Sequence, residues 1–327
     1  MKKLELVCPA GTPAALRVAV DAGADAVYMG FRDETNARNF PGLNFSREEL
    51  AEALDYAHAR GAMVFLAVNT YARAGDDAPW RAAIKSAHDL KVDALILADI
   101  GLLAYARETY PDLRLHLSVQ ASASNAEAIN FYGQRFGVKR VVLPRVLTVP
   151  DITKLNGEID IETEVFAFGG MCPMAEGRCT LSSYVTGKSP NRNGVCSPAS
   201  HVAYVNEGDI LTSRLGGFTI NRFGAHEQAG YPTLCKGRFK AGGEAGYLFE
   251  EPTSLDISAI LPELAKAGVT ALKIEGRQRG KAYVKQVVTD FRRAVDTAAA
   301  GGRATLDMAG LSEGHQNTTG AYAKKWM

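Results

Sequence analysis

Long apolar runs are missing from this chain of 327 residues. The most apolar stretch, residues 94–106, is broken by Asp99 and falls short of the roughly 20 residues a helix needs to cross a bilayer. The opening Met1-Lys2-Lys3-Leu4-Glu5 begins basic, but its apolar run stops at Cys8-Pro9, too early for the core of a signal peptide. Charge of one sign is also lacking. The 37 basic and 36 acidic residues leave +1, which is no footprint for holding nucleic acid by bulk charge. Cysteine is sparse, at five residues. The sequence therefore predicts a cytoplasmic protein, in which cysteines read as ligands, catalysts or packed thiols rather than disulfides. There is no HExxH and no Walker loop, and the six histidines show no metal spacing. Those absences argue against a hydrolase built on the common zinc machinery. With 46% hydrophobic and 22% charged residues, disorder is excluded as the general state.

What the sequence does contain is alternation. Short β-rich runs at residues 4–8, 26–30, 63–69, 94–97, 113–119, 140–143 and 161–168 are separated by amphipathic helical stretches. Thr12-Pro13 reads as an N-cap followed by a first-turn proline, and Ser46 to Glu49 has the spacing of a capping box. A weak repeat places a helix end, usually at glycine, just before strands two, four, six and eight, as in Gly23-Ala24-Asp25-Ala26-Val27 and Gly268-Val269-Thr270-Ala271-Leu272. Residues 256–267 are expected to be helical and 271–274 to be strand eight. The last helix, from Lys281, repeats Tyr283, Val287, Phe291 and Val295 on one face. Eight βα units with near-continuous apolar strands predict an α/β fold, a (β/α)₈ TIM-like barrel. No GxGxxG follows strand one, which weighs against a doubly wound open sheet.

The pattern lapses between strands seven and eight. Three parts are expected: barrel units one to seven over 1–169, a Cys-containing β-rich insertion over 170–252, and the last barrel unit with the tail over 253–327. Within the insertion, 201–205, 218–223 and 246–249 look β-like. Such an insertion lies on the C-terminal face of a barrel, where active sites form.

Cys172, Cys179, Cys196 and Cys235 follow the spacing C-x₆-C-x₁₆-C-x₃₈-C, each within two residues of glycine or proline. Four thiolates from one insertion can bind a [4Fe–4S] cluster or a zinc ion. Zinc more often takes tight C-x₂₋₄-C knuckles, which are absent, and four unrelated thiols remain the plain alternative. Arg178, Lys236 and Arg238 stand beside the quartet and could offset its charge. Cys8, at the end of strand one, reads as a packed thiol.

Polar residues gather at the predicted strand ends. Asp99, Glu164 and Glu275 are the candidate acids or bases. Asn36, Arg38, Asn69, Gln120, Arg145 and Arg277 are the candidate substrate contacts, and the three arginines suit a carboxylate-bearing small molecule.

Several tracts also resemble a known family. Glu164 to Gly169 leading into Met171-Cys172, and then Glu176-Gly177-Arg178-Cys179-Thr180-Leu181-Ser182-Ser183-Tyr184, resemble the signature of the collagenase-like peptidases, family thirty-two of the unassigned peptidases. Glu5 to Gly11 and Lys273-Ile274-Glu275-Gly276-Arg277 match it as well. Thr35 to Phe40, Ser118 to Ser122, Val142 to Leu147, Ala229 to Arg238 and the tail from Ser312 to Tyr322 are similar to the members that serve anaerobic ubiquinone biosynthesis. The resemblance implies a [4Fe–4S] cluster on Cys172, Cys179, Cys196 and Cys235. It implies a heterodimer with a related cluster-bearing protein, UbiV, and oxygen-independent hydroxylation of an aromatic quinone precursor. Other members hydroxylate tRNA or rRNA bases, with prephenate as the proposed hydroxyl donor. The peptidase label finds no zinc-protease motif to support it.

Overall fold

The computed structural model describes residues 3–323 apart from 173 and 175–178. Arg178, named above as a charge beside the cysteines, lies outside the described residues.

The first seven strands are β1 (Glu5–Pro9), β2 (Ala26–Met29), β3 (Met63–Val68), β4 (Ala94–Leu97), β5 (Leu115–Leu117), β6 (Arg140–Val142) and β7 (Glu162–Gly170). Each pairs in parallel with the next. After the insertion, β14 (Ala271–Ile274) pairs in parallel with both β1 and β7, with Ala271 opposite Glu5 on one side and Glu164 on the other. The eight strands thereby close, and the predicted (β/α)₈ barrel is the observed fold.

The connecting helices α1 (Pro13–Asp21), α2 (Arg47–His58), α3 (Ala78–Asp89), α4 (Ile100–Thr109), α5 (Ala126–Phe136) and α6 (Val149–Asn156) cover the outside. Their starts follow local chemistry. Thr12 accepts a hydrogen bond from the Ala15 amide, and Ser46 and Glu49 form a reciprocal capping box. Alternate strand residues turn inward. Val7, Ala26, Tyr28, Phe65, Ala67, Ala94, Ile96 and Ala271 form a barrel-interior cluster separate from the larger barrel–helix core. The small alanines leave room for inward charges, which survive because they are paired. Lys273 contacts Glu164 at 2.7 Å, and Arg140 reaches Glu5 at 2.7 Å and Glu164 at 3.5 Å.

The insertion holds short helices α7 (Thr180–Thr186) and α8 (Pro190–Asn193), then an antiparallel three-stranded sheet of β8 (Val202–Glu207), β9 (Ile210–Leu215) and β10 (Phe218–Phe223). A hairpin of β11 (Arg238–Ala241) and β12 (Glu244–Tyr247) follows. The expected strand over 246–249 thus begins two residues earlier, paired through a Gly242-Gly243 turn whose residues both adopt positive φ.

Two further expectations are corrected. Strand five ends at Leu117 instead of Val119, because Ser118 accepts from the Gln120 amide and opens a 3₁₀ turn over Val119–Ala121. The expected helix over 256–267 starts later. Residues Ser254–Asp256 form β13, antiparallel to the far end of β7, with Ser254 opposite Gly170. Helix α9 (Leu261–Lys266) begins only where Pro262 fits the first turn. The last barrel helix is α10 (Lys281–Ala299), and β15 (Asn317–Thr318) in the tail adds to β13. No helix among the described residues is long and apolar enough to cross a membrane.

Candidate functional site

The loops after β2 and β14 meet at the barrel mouth. Arg277 donates to the side-chain oxygen of Asn36 at 2.8 Å, and Asn36 donates in turn to the Phe31 carbonyl at 3.1 Å. Two glycines permit this approach. A Cβ at Gly30 would lie 2.4 Å from the Asn36 amide group, and one at Gly11 only 1.7 Å from the Arg277 carbonyl oxygen. Arg277 is buried, and its guanidinium lies 5.4 Å from the ring centre of Tyr28. No carboxylate stands within ion-pair distance of it among the described residues. Burial, with repulsion from Arg38 added, pulls its pKa down to about 10. Arg38 is half-buried, and its amide donates to the same Asn36 oxygen at 3.0 Å. Tyr28 donates its hydroxyl to the Ile274 carbonyl at 2.9 Å, and burial raises the pKa of that phenol.

Arg145 and Glu275 form a second mouth pair at 2.5 Å, with the Arg145 guanidinium 3.5 Å above the Phe166 ring. Gly169, with φ of 147°, makes space for it, since a Cβ there would lie 2.6 Å from that of Glu275. Asn69 accepts from the Ala37 amide at 3.1 Å and so fixes the β2 loop rather than facing the mouth unencumbered. Gln120 is buried, and its side-chain oxygen has no hydrogen-bond partner among the described residues.

The other two acid candidates are occupied by the fold. Asp99 caps α4 through the Gly101 and Leu102 amides and takes the Ala72 amide at 3.2 Å on its second oxygen. Glu164 lies deep in the barrel between Lys273 and Arg140. Of the three, Glu275 is the carboxylate at the mouth.

The cysteines come from four separate turns. Cys172 follows the end of β7, Cys179 precedes α7, Cys196 follows α8, and Cys235 sits in a 3₁₀ turn before β11. The Cys196 turn packs on the β2 loop, because Gly194 at φ 80° would place a Cβ 2.5 Å from the Asn39 amide nitrogen. Burial pushes the Cys235 thiol up to about 12, with the neighbouring sulfurs of Cys172, Cys196 and Cys179 adding to the rise. The sulfurs of Cys172, Cys179 and Cys196 thus lie within electrostatic reach of Cys235. Cys172 and Cys196 are exposed, whereas Cys235 is buried. No three His, Cys, Asp or Glu side chains among the described residues converge tightly enough to hold a single ion. A sulfur-only donor set of four cysteines has the donor chemistry of an iron–sulfur centre or of a zinc ion. Cys8 faces the barrel–helix layer as a fully buried thiol, apart from this group.

Sequence reasoning missed other parts of this region. Gly11, Gly30 and Gly169 act through space that only the packed chain defines. A cavity of about 480 Å³ lies between Thr70, Tyr71 and Trp80 on the barrel rim and Ser183, Ser189 and Asn193 on the insertion. The Trp80 indole donates to Thr70 at 2.9 Å, a contact that ten residues of separation alone does not announce.

Comparison with known proteins sets this geometry in a family. Residues 11–327 match the model of peptidase family U32. The tRNA hydroxylation protein P of Escherichia coli is 35% identical over 92% of this chain and 70% of its own length. The tRNA hydroxylation protein P1 of Bacillus subtilis is 31% identical over 91% of this chain, which spans 64% of that relative's length. The 23S rRNA 5-hydroxycytidine C2501 synthase of Escherichia coli is 31% identical over 90% of this chain and 39% of its own length. A barrel with a cysteine-bearing insertion at its mouth, aligned along nearly its whole length with these proteins, belongs to peptidase family U32 and is similar to the members that hydroxylate tRNA and rRNA.

Proposed function

We propose that this chain is the iron–sulfur subunit of an oxygen-independent hydroxylase acting on an aromatic ring. The observation that carries this reading is the alignment of RNA-hydroxylation proteins along 92% of the chain. Cys172, Cys179, Cys196 and Cys235 are the proposed [4Fe–4S] ligands. When bound, such a cluster supplies one-electron chemistry beside the mouth. The chain's own side chains do the rest of the work. Arg277 and Arg38 receive the carboxylates of a prephenate-like hydroxyl donor, Asn36 orients Arg277, Gln120 offers a buried acceptor, and Glu275 is the proton-handling group within reach of Arg145.

Two substrates divide the reading. The names of the relatives favour an RNA base. The tracts around Asn36, Gln120, Arg145 and Cys235 look like those of UbiU, and the net charge of +1 suits a small substrate better than a polyanion. On that ground the substrate is taken to be a ubiquinone precursor and the partner to be UbiV. The insertion exposes Tyr184, Phe218, Tyr231, Leu248 and Phe249, the kind of apolar surface that a partner subunit covers.

A deletion strain grown without oxygen separates the two. Loss of ubiquinone, restored by the wild-type chain, supports the quinone reading. Normal quinone with a missing tRNA or rRNA hydroxyl, read by mass spectrometry, transfers the function to RNA. Both unchanged would reject hydroxylation. For the cluster, anaerobic purification should give a brown protein with about four irons per chain. A colourless, zinc-bearing protein would reject it.

A further inference from the structure

Glu313 stands in the tail, outside the residues assigned above. Its amide donates to the Ser254 hydroxyl at 2.9 Å, and Ser254 lies opposite Gly170, the last residue of β7. Its carboxylate is ion-paired with Lys236 and lies 3.5 Å from Arg279. A Cβ at position 170 would sit 2.6 Å from the Glu313 carboxylate, so Gly170 leaves the space that this group fills. One side chain therefore touches three segments: the strand end that runs into Cys172, the turn that carries Cys235, and the β14 loop two residues beyond Arg277. The Lys236 side chain is only 12% exposed, which sets this pair apart from the weak ion pairs of open surfaces. The tail that bears Glu313 is itself anchored, through β15 on β13 and through the Tyr322 hydroxyl, which donates to the Phe166 carbonyl at 3.1 Å.

We propose that Glu313 is a positioning residue: by fixing Lys236 it holds the Cys235 turn against the end of β7 and sets where the Cys235 sulfur stands relative to Cys172. The proposal rests on the reading of these cysteines as one ligand set only for its consequence for iron. The placement of Cys235 is testable with or without iron.

The test uses the full-length protein, isolated without oxygen, as wild type, Glu313→Gln, Glu313→Asp, Lys236→Gln and the Glu313→Gln/Lys236→Gln double variant. Iron is first withdrawn with a chelator while its release is timed. Alkylation is then mapped at each cysteine by mass spectrometry. Glu313→Gln is expected to speed alkylation of Cys235 by about tenfold through lost local protection. Cys8, buried in the barrel–helix core, is the internal control and should not change. Glu313→Asp should recover part of the protection, and the double variant should be no more reactive than either single one, because both remove the same contact. Iron release should quicken in the same order. An unchanged Cys235 rate in Glu313→Gln overturns the proposal. So does a parallel rise at Cys8, which would mean general loosening, or an additive double variant. A wild type that holds no iron would count against the ligand reading alone, since the alkylation pattern still decides the role of Glu313.

Discussion

The Arg277 guanidinium donates to Asn36 at 2.8 Å, tying the loop after the last barrel strand to the loop after the second. Arg277 is a buried cation with no carboxylate at ion-pair distance among the described residues, an arrangement that disfavours folding and that the proposed carboxylate ligand would offset. Arg277→Met should therefore leave the melting temperature equal or higher while activity falls about tenfold to a hundredfold, the scale of a lost hydrogen bond to a charged group. Calorimetry and turnover measured side by side check it. A large drop in stability would contradict the functional role. The sign of the pH effect follows from the pKa of about 10. The charged form is disfavoured in the fold, so the penalty is present below pH 10 and is relieved as the native state deprotonates above it.

Gly30 tests the same contact from the other side. A Cβ there would lie 2.4 Å from the Asn36 amide group. Gly30→Ala is expected to displace Asn36, reproduce the activity loss of Asn36→Ala, and cost about 1–3 kcal/mol in urea unfolding. Gly217→Ala, where nothing lies within 4 Å, is the neutral comparison. Equal behaviour of the two variants would argue against the steric account.

Inside the barrel, Arg140 is a shared counter-ion for Glu5, Glu162 and Glu164. Burial opposes its charge, but these carboxylates outweigh burial and raise its pKa. Arg140→Met should cost about 3–5 kcal/mol by removing the cation that Glu5, Glu162 and the buried Glu164 share. Burial likewise opposes ionisation of Glu162, yet Arg140 and Arg114 hold its pKa below the ordinary glutamate value. The stabilisation it gives is present above that ordinary value and is lost as the pH falls through the lowered one. Glu162→Gln should flatten that acid loss in urea melts taken across the range, and a pH dependence identical to wild type would be the contrary result.

The cysteines should separate into two classes. Cys196→Ser is expected to abolish or sharply reduce iron in anaerobically purified protein. Cys8→Ser should retain it and cost about 1 kcal/mol of stability, as expected for a polar group in a packed site. Iron and sulfide assays decide, and equal loss in both variants would place the cluster ligands elsewhere.

The apolar face of the insertion makes a prediction of its own. The ring centres of Tyr184 and Phe218 lie 6.0 Å apart, and Tyr184 is 80% exposed. Paired replacement by serine should weaken co-purification with the proposed partner, UbiV, without changing iron content or melting temperature. Undiminished co-purification would move the interface to another surface.

Much of this protein is decided by local chemistry. The capping of α1 and α2, the glycine stops before even-numbered strands and the near-continuous apolar strands each act within a few residues, so the barrel could be read from the chain. The spacing of Cys172, Cys179, Cys196 and Cys235 and the polar strand ends were legible for the same reason. Other features depend on chain segments that meet only after folding. Whether a polar strand end caps a helix, pairs inside the barrel or faces the mouth separated Asp99, Glu164 and Glu275, which look alike as sequence. The β13 strand, which overlaps the expected helix only at Asp256, was not legible because its partner, the extended end of β7, lies more than eighty residues away in the chain. Composition and periodicity fixed the barrel and the cysteine-bearing insertion, because those follow from short-range propensity and burial. Only tertiary packing decided which charges are structural, which glycines are obligatory, and how Glu313 comes to stand between two cysteine turns, because these depend on the approach of residues that nothing local brings together.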